Sequence, residues 1–390
     1  MQRVRLMPRS DWQRRVESVG LTFHTLDDGA PYWDESACYT FTLAEIDQIE
    51  LATLALNDLC LEAIERIIED NLWDRFEIPS AFVDYIRKSW DEDEITIVGR
   101  FDLAYDGVNP PKMLEYNADT PTALLEAAVV QWYWLQDVAP DADQFNSLHE
   151  RLIEAWRRVK DEFGCPVTFV SVKDHVEDFL TATYLRDTAI QAGLTTQYLP
   201  IESLGWNASR GTFVDVRERS LGCIFKLYPW EWLMREEFGR HLAKASTRWL
   251  EAPWKALLSN KALLPLLWQL FPDHPNLLPA SHEAMPGHCV RKPMFGREGA
   301  NITIFEDGKT IQETPGDYAG TNIYQAFHET PKFDGRTIVL GSWMVNGYAC
   351  GLGIREDDGV ITSNTSRFVP HRIESPSTAI VSAEARTRIQ

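Results

Sequence analysis

The stretch that decides the fold reads ITIVGRFDLAYDGVNPPKMLEYNADTPT at residues 95–122. It holds two short runs of mixed apolar and polar residues, Ile95–Ala104 and Lys112–Asn117, separated by a turn rich in Gly, Asn and Pro at Asp106–Pro111. Two such runs joined by such a turn predict a β-hairpin. Apolar neighbours such as Leu103 and Leu114 indicate that this hairpin lies close to a core.

One face of the hairpin carries charged and amide side chains. Residues two apart on a strand project from the same face, so Arg100 lies beside Asp102, and Glu115 beside Asn117. Two carboxylates and an amide oxygen are ligands of the kind that Mg²⁺ takes, and an adjacent Arg can neutralise a transferring phosphoryl group. The residues alone are equally compatible with a solvated strand face of surface charges and with a magnesium site. The nearby apolar residues speak against the solvated face, because unpaired carboxylates near a core are costly.

The hairpin leads into a predicted helix through the sequence NADTPT at residues 117–122. Asp119, Thr120 and Thr122 are residue types that cap helices, and the free N–H groups at a helix start can form an anion site. Ordinary capping accounts for one of these residues and leaves the cluster as a whole unexplained.

The remaining pattern favours a mixed α/β (α+β) fold. Residues 1–90 are predicted to be mostly helical, from the apolar spacing in Thr42–Asp70. A parallel sheet is predicted where strand, helix and strand alternate. Its segments are Pro166–Val172, Asp174–Gly193, Thr196–Ile201, Thr212–Val216 and Gly222–Tyr228. After a helix-rich stretch beyond Trp254, antiparallel strands are predicted at Val290–Thr303, Thr321–Phe327, Arg336–Val345 and Tyr348–Arg355.

A possible phosphate-binding loop reads RKPMFGREGANI at residues 291–302. Lys292 and Arg297 flank Gly296, and glycines allow the backbone to approach an anion closely. The Walker pattern GxxxxGK[ST] is absent from the sequence. Most turns of this composition are only turns, so the motif alone does not separate the two interpretations.

Composition limits the classes of partner. The chain has 38 basic and 58 acidic residues, for a formal net charge of −20. This balance argues against nucleic acid or an anionic membrane as partner. It suits a cationic substrate such as a polyamine, and it also suits an acidic surface that serves solubility.

Cellular location is predicted from the cysteines and the chain start. Six scattered cysteines without a CxxC pair predict reduced thiols. No apolar run approaches the roughly 20 residues of a membrane span, and the N-terminus lacks the apolar core of a secretory signal. We therefore expect a cytoplasmic protein.

Taken in order, these elements resemble the synthetase region of the glutathionylspermidine synthase family, including its shorter stand-alone acid–amine ligase members. The resemblance spans Arg14 to about His371. The motifs that carry it are Arg100-Phe-Asp102, Glu115-Tyr-Asn-Ala-Asp-Thr-Pro-Thr122, Ser259-Asn-Lys261, Lys292-Pro-Met-Phe-Gly-Arg297, Tyr324-Gln325 and Ser366-Arg-Phe-Val-Pro-His371.

The resemblance implies an ATP-grasp fold, in which two antiparallel sheets clamp ATP, with a pre-ATP-grasp α/β substrate domain and a helical N-terminal region. Residues 1–165 are expected to form the N-terminal region, whose hairpin at 95–122 joins the ATP-grasp sheet. Residues 166–245 would form the pre-ATP-grasp domain. Residues 246–390 would form the nucleotide-binding region with its lid.

By similarity, Asp102, Glu115 and Asn117 would bind Mg²⁺, and Arg100 would stabilise the transferred phosphoryl group. The residues expected to bind ATP are Lys261, Lys292, Arg297, Gln325 and Arg355. Thr120 and Thr122 stand where the family has serines that contact a thiol-peptide substrate. Threonine keeps the hydroxyl of serine but adds a methyl group, so the identity of the substrate stays open. The amidase half of the bifunctional relatives has no counterpart in this sequence.

The implied function is an ATP- and Mg²⁺-dependent acid–amine ligase that joins a glutathione-like carboxylate to a polyamine-like amine through an acyl phosphate. Glu126, Asp215 and Glu231 are candidates for the pocket of the cationic amine. One alternative is a phosphotransferase of the same fold, which would need an acceptor hydroxyl. Another is a non-catalytic ATP-binding protein acting through a protein partner, which the complete set of motif residues disfavours.

Overall fold

The computed structural model describes residues 1–374, and residues 375–390 of the predicted nucleotide-binding region lie outside the described residues. The N-terminal part consists of β1 (Gln2–Arg5), α1 (Trp12–Ser18), β2 (Ala37–Phe41), α2 (Leu43–Glu69) and α3 (Val83–Asp91). The prediction of helix is therefore right for α1 to α3 and wrong for β1 and β2. Strand β2 is buried at every residue, so it lacks the alternation that reveals a strand in sequence.

The predicted hairpin is confirmed as β3 (Val98–Ala104) and β4 (Lys112–Asn117), which pair antiparallel. The chain then continues through a π-helical turn at Glu126–Val130 into α4 (Gln131–Val138), and α5 (Leu148–Phe163) follows. Helix α5 presents a buried apolar face that includes Trp156. This face packs against the sheet that comes next in the chain, where Trp156 contacts Phe169 and Phe225.

The predicted parallel sheet is also confirmed. Its segment contains β5 (Val167–Ser171), α6 (Val176–Gln191), β6 (Thr196–Pro200), β7 (Gly205–Asn207), β8 (Thr212–Val214), β9 (Cys223–Leu227), α7 (Trp230–Leu233) and β10 (Arg248–Leu250). The sheet order is β10-β9-β5-β6, and all its pairs are parallel. Strand β8 is not part of this sheet, because it pairs with β7 in a separate two-stranded ribbon.

Two short helices and a run of strands complete the described chain. They are α8 (Lys255–Leu258), α9 (Leu263–Leu270), β11 (Ala280–Ser281), β12 (His288–Pro293), β13 (Thr303–Glu306), β14 (Lys309–Glu313), β15 (Asn322–Ala326), β16 (Lys332–Phe333), β17 (Arg336–Val345), β18 (Tyr348–Asp357), β19 (Arg367–Phe368) and β20 (His371–Ile373). The single strand predicted at residues 290–303 is wrong, since β12 ends at Pro293 and a loop precedes β13. Proline has no N–H with which to continue the pairing.

Two antiparallel sheets face each other. One has the order β11-β15-β12-β13-β14, and the other places β3 and β4 beside the long hairpin β17–β18, in the order β19-β18-β17-β3-β4. They meet where Lys292 of β12 and Gln325 of β15 donate hydrogen bonds to backbone carbonyls of β4. The expected clamp of two sheets is therefore present. No helix within residues 1–374 is both long enough and apolar enough to cross a membrane.

Candidate active site

A cleft of about 450 Å³ lies between these two sheets and the parallel sheet. Every side chain to which the family resemblance assigned a metal, nucleotide or substrate role lines it. They are Arg100, Asp102, Glu115, Asn117, Thr120, Thr122, Lys261, Lys292, Arg297, Gln325 and Arg355. Residues that lie up to 255 positions apart in sequence are thus brought together in one place.

The hairpin register brings its four polar side chains together as predicted. Arg100 pairs with Asn117, and Asp102 pairs with Glu115. Only 7% of Arg100 and 2% of Asp102 is exposed, so the alternative of a solvated surface is wrong for these two. Burying charged groups is costly unless they are paired, and both are paired here.

The Asp102 carboxylate holds two arginines. Arg100 Nε donates to Asp102 Oδ1 at 2.7 Å, and Arg355 Nη2 donates to Asp102 Oδ2 at 2.6 Å. Burial acts to lower the pKa of Arg100, but the charge and hydrogen bond of Asp102, together with the charges of Glu115 and Glu177, outweigh it and the pKa is raised. Gly341 of β17 makes room for this arrangement, because a Cβ there would lie 2.8 Å from Arg100 Cδ. Asp102 therefore fixes both guanidinium groups at the cleft.

Asn117 links the two carboxylates. Its Nδ2 donates to Asp102 Oδ2 at 3.3 Å and to Glu115 Oε1 at 3.1 Å, so the positive end of the amide dipole lies between two anionic groups. A cation would favour the same position, and rotating the amide by half a turn would present its oxygen. Two carboxylates and an amide oxygen fit Mg²⁺. No group of three or more His, Cys, Asp or Glu among residues 1–374 could hold a metal, so phosphate and water would have to complete the coordination.

Two lysines face these carboxylates from the opposite side of the cleft. Lys261 Nζ lies 2.9 Å from Glu115 Oε2. Burial would raise the pKa of Glu115, but Lys261 and Lys292 outweigh it and hold that pKa well below its ordinary value. Burial lowers the pKa of Lys292 to about 8, although Glu115 opposes the shift. The cleft therefore contains an ionised carboxylate against a cluster of positive charge that suits phosphate groups.

Lys292 is held at a fixed position. Its Nζ donates to Gln325 Oε1 at 2.6 Å and to the carbonyl of Leu114 at 2.9 Å. Gln325 Nε2 in turn donates to the carbonyl of Met113 at 3.1 Å. Strands β12 and β15 thus direct one cation and one amide toward β4, and both side chains are among those that the resemblance assigns to ATP binding.

The loop after β12 carries Arg297. Its Nη1 donates to a carboxylate oxygen of Glu231, on the parallel-sheet side of the cleft, and its guanidinium lies 5.6 Å from the centre of the Trp232 ring. Glu231, one of the amine-pocket candidates, is therefore already engaged by Arg297. The same loop closes against the segment after β18, since a Cβ on Gly299 would lie 2.4 Å from the carbonyl oxygen of Thr362.

Asp119 has a different role from the predicted helix cap. It forms a buried ion pair with Lys226, and its second oxygen accepts a hydrogen bond from the backbone N–H of Trp230 at 2.8 Å. The Ser259 hydroxyl accepts from the N–H groups of Ala118 and Asp119. The loop that carries Thr120 and Thr122 is thus fixed from both sides. Asp119 does not cap the following helix, because Lys226 and the N–H of Trp230 engage its two carboxylate oxygens.

None of the three amine-pocket candidates, Glu126, Asp215 and Glu231, lines the cleft. Asp215 lies at the end of the β7–β8 ribbon, where it accepts a hydrogen bond from Arg219 Nε at 2.6 Å, so that candidate is wrong. Glu126 is buried and accepts a hydrogen bond from the Tyr32 hydroxyl at 2.7 Å. Tyr32, which the sequence analysis did not identify, does line the cleft.

Three further acidic residues in the cleft were missed, namely Glu177, Asp178 and Glu298. Burial raises the pKa of Asp178 to about 6, and burial also raises the pKa of Glu298. A signal for the first two was present in the sequence. They lie in the first turn of α6, which follows the carboxyl end of the parallel strand β5, and ligands of α/β sheets bind at such strand ends.

Of the polar residues near the C-terminal strands, Arg355 and Asn364 line the cleft. Arg367 does not, and its Nη2 donates to Asp358 Oδ2 at 3.1 Å, just after the end of β18.

Comparison with known proteins agrees with this architecture. The family described as glutathionylspermidine synthase preATP-grasp matches residues 3–374. A Haemophilus influenzae protein named "Putative acid–amine ligase" is 40% identical, and the match covers 95% of this chain and 99% of that protein.

Two longer relatives carry more specific names. The trypanothione synthetase of Crithidia fasciculata is 30% identical, over 82% of this chain and 54% of that protein. The bifunctional glutathionylspermidine synthetase/amidase of Escherichia coli is 28% identical, over 85% of this chain and 58% of that protein. The chain therefore spans little more than half the length of these two relatives.

A solved structure supports the fold alone. A glutathione synthetase-like effector from Globodera pallida superposes with a TM-score of 0.57 at 12% identity, covering 93% of this chain and 96% of the effector. The predicted ATP-grasp type of α/β fold is confirmed, and the extent of the family match shows that this chain belongs to the glutathionylspermidine synthase family.

Proposed function

We propose that this protein is an ATP- and Mg²⁺-dependent ligase that joins a glutathione-like carboxylate to a polyamine-like amine through an acyl phosphate. One observation carries the proposal. The pair Asp102 and Glu115 on one sheet faces Lys261 and Lys292 at a single cleft, with Arg100 between that pair and the loop of Thr120 and Thr122. The names of the relatives support the same class of reaction.

The residues divide the work by charge. Lys261, Lys292 and Arg297 would bind the phosphates of ATP, and Gln325 would lie near the adenine. Asp102, Glu115 and Asn117 would hold Mg²⁺, which when bound offsets the charge of the phosphate oxygens. Arg100 and Arg355 would neutralise the transferred phosphoryl group, and no covalent nucleophile is needed.

The acid substrate would lie against the loop of Thr120 and Thr122. Arg100 Nη1 donates to the carbonyl of Thr122 at 2.6 Å, so the same guanidinium that would meet the phosphoryl group also positions this loop. The carboxylate to be activated would therefore be presented next to Arg100. Holding the reactants in such a geometry is the main source of rate in this type of reaction.

The amine would bind where the cleft is acidic. Glu177, Asp178 and Glu298 line the side that faces the parallel sheet, and they replace the amine-pocket candidates taken from sequence. Several carboxylates along an extended cleft suit a chain of ammonium groups.

The three predicted regions serve this division. Residues 166–245 would supply Glu177 and Asp178 of the acidic side, and the hairpin at 95–122 would supply the metal and acid side. The part after residue 246 would supply the nucleotide side and Glu298.

The proposal is tested by measuring ADP release over a panel of thiol peptides and polyamines. The products are analysed by mass spectrometry. We expect ADP release that needs both an acid and an amine, together with a product whose mass is that of the condensed pair. ADP release with a phosphorylated product and no need for amine would instead identify a phosphotransferase. ATP binding without ADP release for any pair would identify a non-catalytic protein.

A further inference from the structure

A buried tyrosine–glutamate pair lies next to the cleft, and the proposed chemistry has so far given it no role. The Tyr32 hydroxyl donates to Glu126 Oε1 at 2.7 Å. Tyr32 is 4% exposed and lines the cleft, whereas Glu126 is 1% exposed and lies behind it. The pair joins the N-terminal segment before β2 to the turn that follows the Thr120–Thr122 loop.

Glu126 is an unusual buried carboxylate because no cation pairs with it. None of the salt bridges among residues 1–374 includes Glu126, although buried carboxylates are normally paired. The groups that act on it electrostatically are Glu177 of α6 and Arg100 of β3, and those that act on Tyr32 are Glu126, Glu177 and Arg355. Burial, with the charge of Glu177, raises the pKa of Glu126 to about 7.

The local backbone is irregular at the same point. Glu126 is the first residue of the π-helical turn Glu126–Val130, which interrupts the helix between residues 124 and 138. Such turns are rare and occur frequently at functional sites. Here the turn places a carboxylate directly behind a cleft-lining hydroxyl.

The proposed ligase reaction needs a proton acceptor at this side of the cleft. A primary alkylamine with a pKa close to that of lysine, about 10.4, is almost wholly protonated at pH 7 and cannot attack. One proton must therefore leave before the C–N bond forms. A base with a pKa near the working pH is the most effective acceptor.

We propose that Tyr32 and Glu126 form a proton relay that deprotonates the attacking ammonium group of the amine substrate. The Tyr32 hydroxyl accepts a proton from the ammonium while its own proton passes to the Glu126 carboxylate. The amine nitrogen then bonds to the acyl carbon, and the C–O bond to phosphate breaks. The second nitrogen proton leaves with the phosphate as hydrogen phosphate, and Glu126 later returns its proton to solvent.

This inference rests on the proposed ligase function. An assay with hydroxylamine distinguishes a failure of the proton relay from a failure of the ligase function itself. Hydroxylamine is uncharged at neutral pH and traps an acyl phosphate as a hydroxamate without needing a base. Enzyme, ATP, Mg²⁺ and glutathione are incubated with spermidine and hydroxylamine together, and the ratio of amide to hydroxamate is measured. In the unmodified protein this ratio is expected to rise with pH around a midpoint near 7, following the pKa of Glu126.

Tyr32→Phe and Glu126→Gln are both expected to lower that ratio at pH 7 by about 10²-fold. In both variants the midpoint near pH 7 should disappear, and the ratio should keep rising toward the pKa of the free amine, about 10.4. Tyr39→Phe is the matched control. Its hydroxyl also donates to a buried carboxylate, Glu356, at 2.8 Å, but Tyr39 does not line the cleft, so the ratio should not change. Equal losses of amide and hydroxamate in the Tyr32 and Glu126 variants would overturn the relay. Absence of any hydroxamate in the unmodified protein would count against the acyl phosphate itself.

A second measurement needs no substrate. Infrared difference spectra between the unmodified protein and Glu126→Gln, recorded from pH 5 to 9, report whether the Glu126 carboxyl loses its proton in that range. We expect a protonated carboxyl band that disappears as the pH rises. A carboxylate that stays ionised throughout, or stays protonated throughout, would overturn the relay whichever acid and amine the enzyme uses.

Discussion

Asp102 lies directly opposite Glu115 across strands β3 and β4, and each carboxylate binds a different set of cations. Asp102 holds Arg100 and Arg355, and Arg100 also donates to the carbonyl of Thr122, whereas Glu115 pairs with Lys261 of the proposed nucleotide side. One pair of opposite residues thus joins the proposed acid end of the cleft to the proposed phosphate end. These are the two carboxylates that would hold the divalent cation.

Substitution of Asp102 is expected to affect both turnover and stability. Asp102→Ala should abolish turnover, and it should also cost about 3–5 kcal/mol of stability, because buried Arg100 would lose its counter-ion. Asp102→Asn keeps the shape and should lower ADP release by at least about 10²-fold. Asp106→Asn in the exposed hairpin turn is the control, and equal activity of the two Asn variants would contradict the assignment.

Gly341→Ala tests the position of Arg100 without changing a charge. The added methyl group would lie 2.8 Å from Arg100 Cδ and would push that side chain out of place. Displacement of about 1 Å can cost about 10²-fold in rate, so kcat should fall by roughly 10- to 100-fold. Overpacking at this buried position should lower the stability by only about 1–3 kcal/mol, less than the loss expected for Asp102→Ala. Gly359→Ala, where the nearest atom is 3.4 Å away, should retain full activity. If the two variants have the same kcat, Arg100 does not stabilise the transferred phosphoryl group as proposed.

ATP binding should weaken as the pH rises through about 8. Burial lowers the pKa of Lys292 to about 8, so the free protein loses this positive charge above that pH. Bound phosphate restores the charge, so the dissociation constant should increase by up to about tenfold per pH unit. Lys292→Arg stays charged and should lack the dependence. Calorimetric titration with ATP and Mg²⁺ from pH 7 to 9.5 measures this, and identical profiles for the two proteins would refute it.

The ion pair of Asp119 and Lys226 should contribute strongly to stability. Both side chains are buried, so Lys226→Met would leave an unpaired carboxylate and should cost about 3–5 kcal/mol, measured by urea unfolding. Adding Asp119→Asn to Lys226→Met should recover part of that loss, because the uncompensated charge is removed. A cost below about 1 kcal/mol for Lys226→Met, the range of an exposed pair, would contradict this role.

The hairpin could be predicted from sequence because its information is local. Two strand-like runs and a Gly/Pro turn fix the strands, and the period of two fixes which residues share a face. The site residues on β12 and β15 were found only through the ordered motifs of the family, since Lys292 and Gln325 meet by pairing of distant strands.

Other features had no local signal. Asp119 was assigned to a cap because its residue type favours one, and its partner Lys226 lies 107 positions away. Tyr32 enters the cleft from a segment without regular structure. Strand β2 pairs with β20, at the opposite end of the described chain, and no spacing rule anticipates such a contact.

Transfer of oxygen from the acid to phosphate tests the central claim most directly. The protein is incubated with ATP, Mg²⁺, spermidine and glutathione labelled with ¹⁸O in its carboxylates, and the released phosphate and products are analysed by mass spectrometry. Formation of an acyl phosphate predicts one ¹⁸O atom in each phosphate, together with an amide of the condensed mass. Phosphate without label, released while ADP accumulates, would contradict the account.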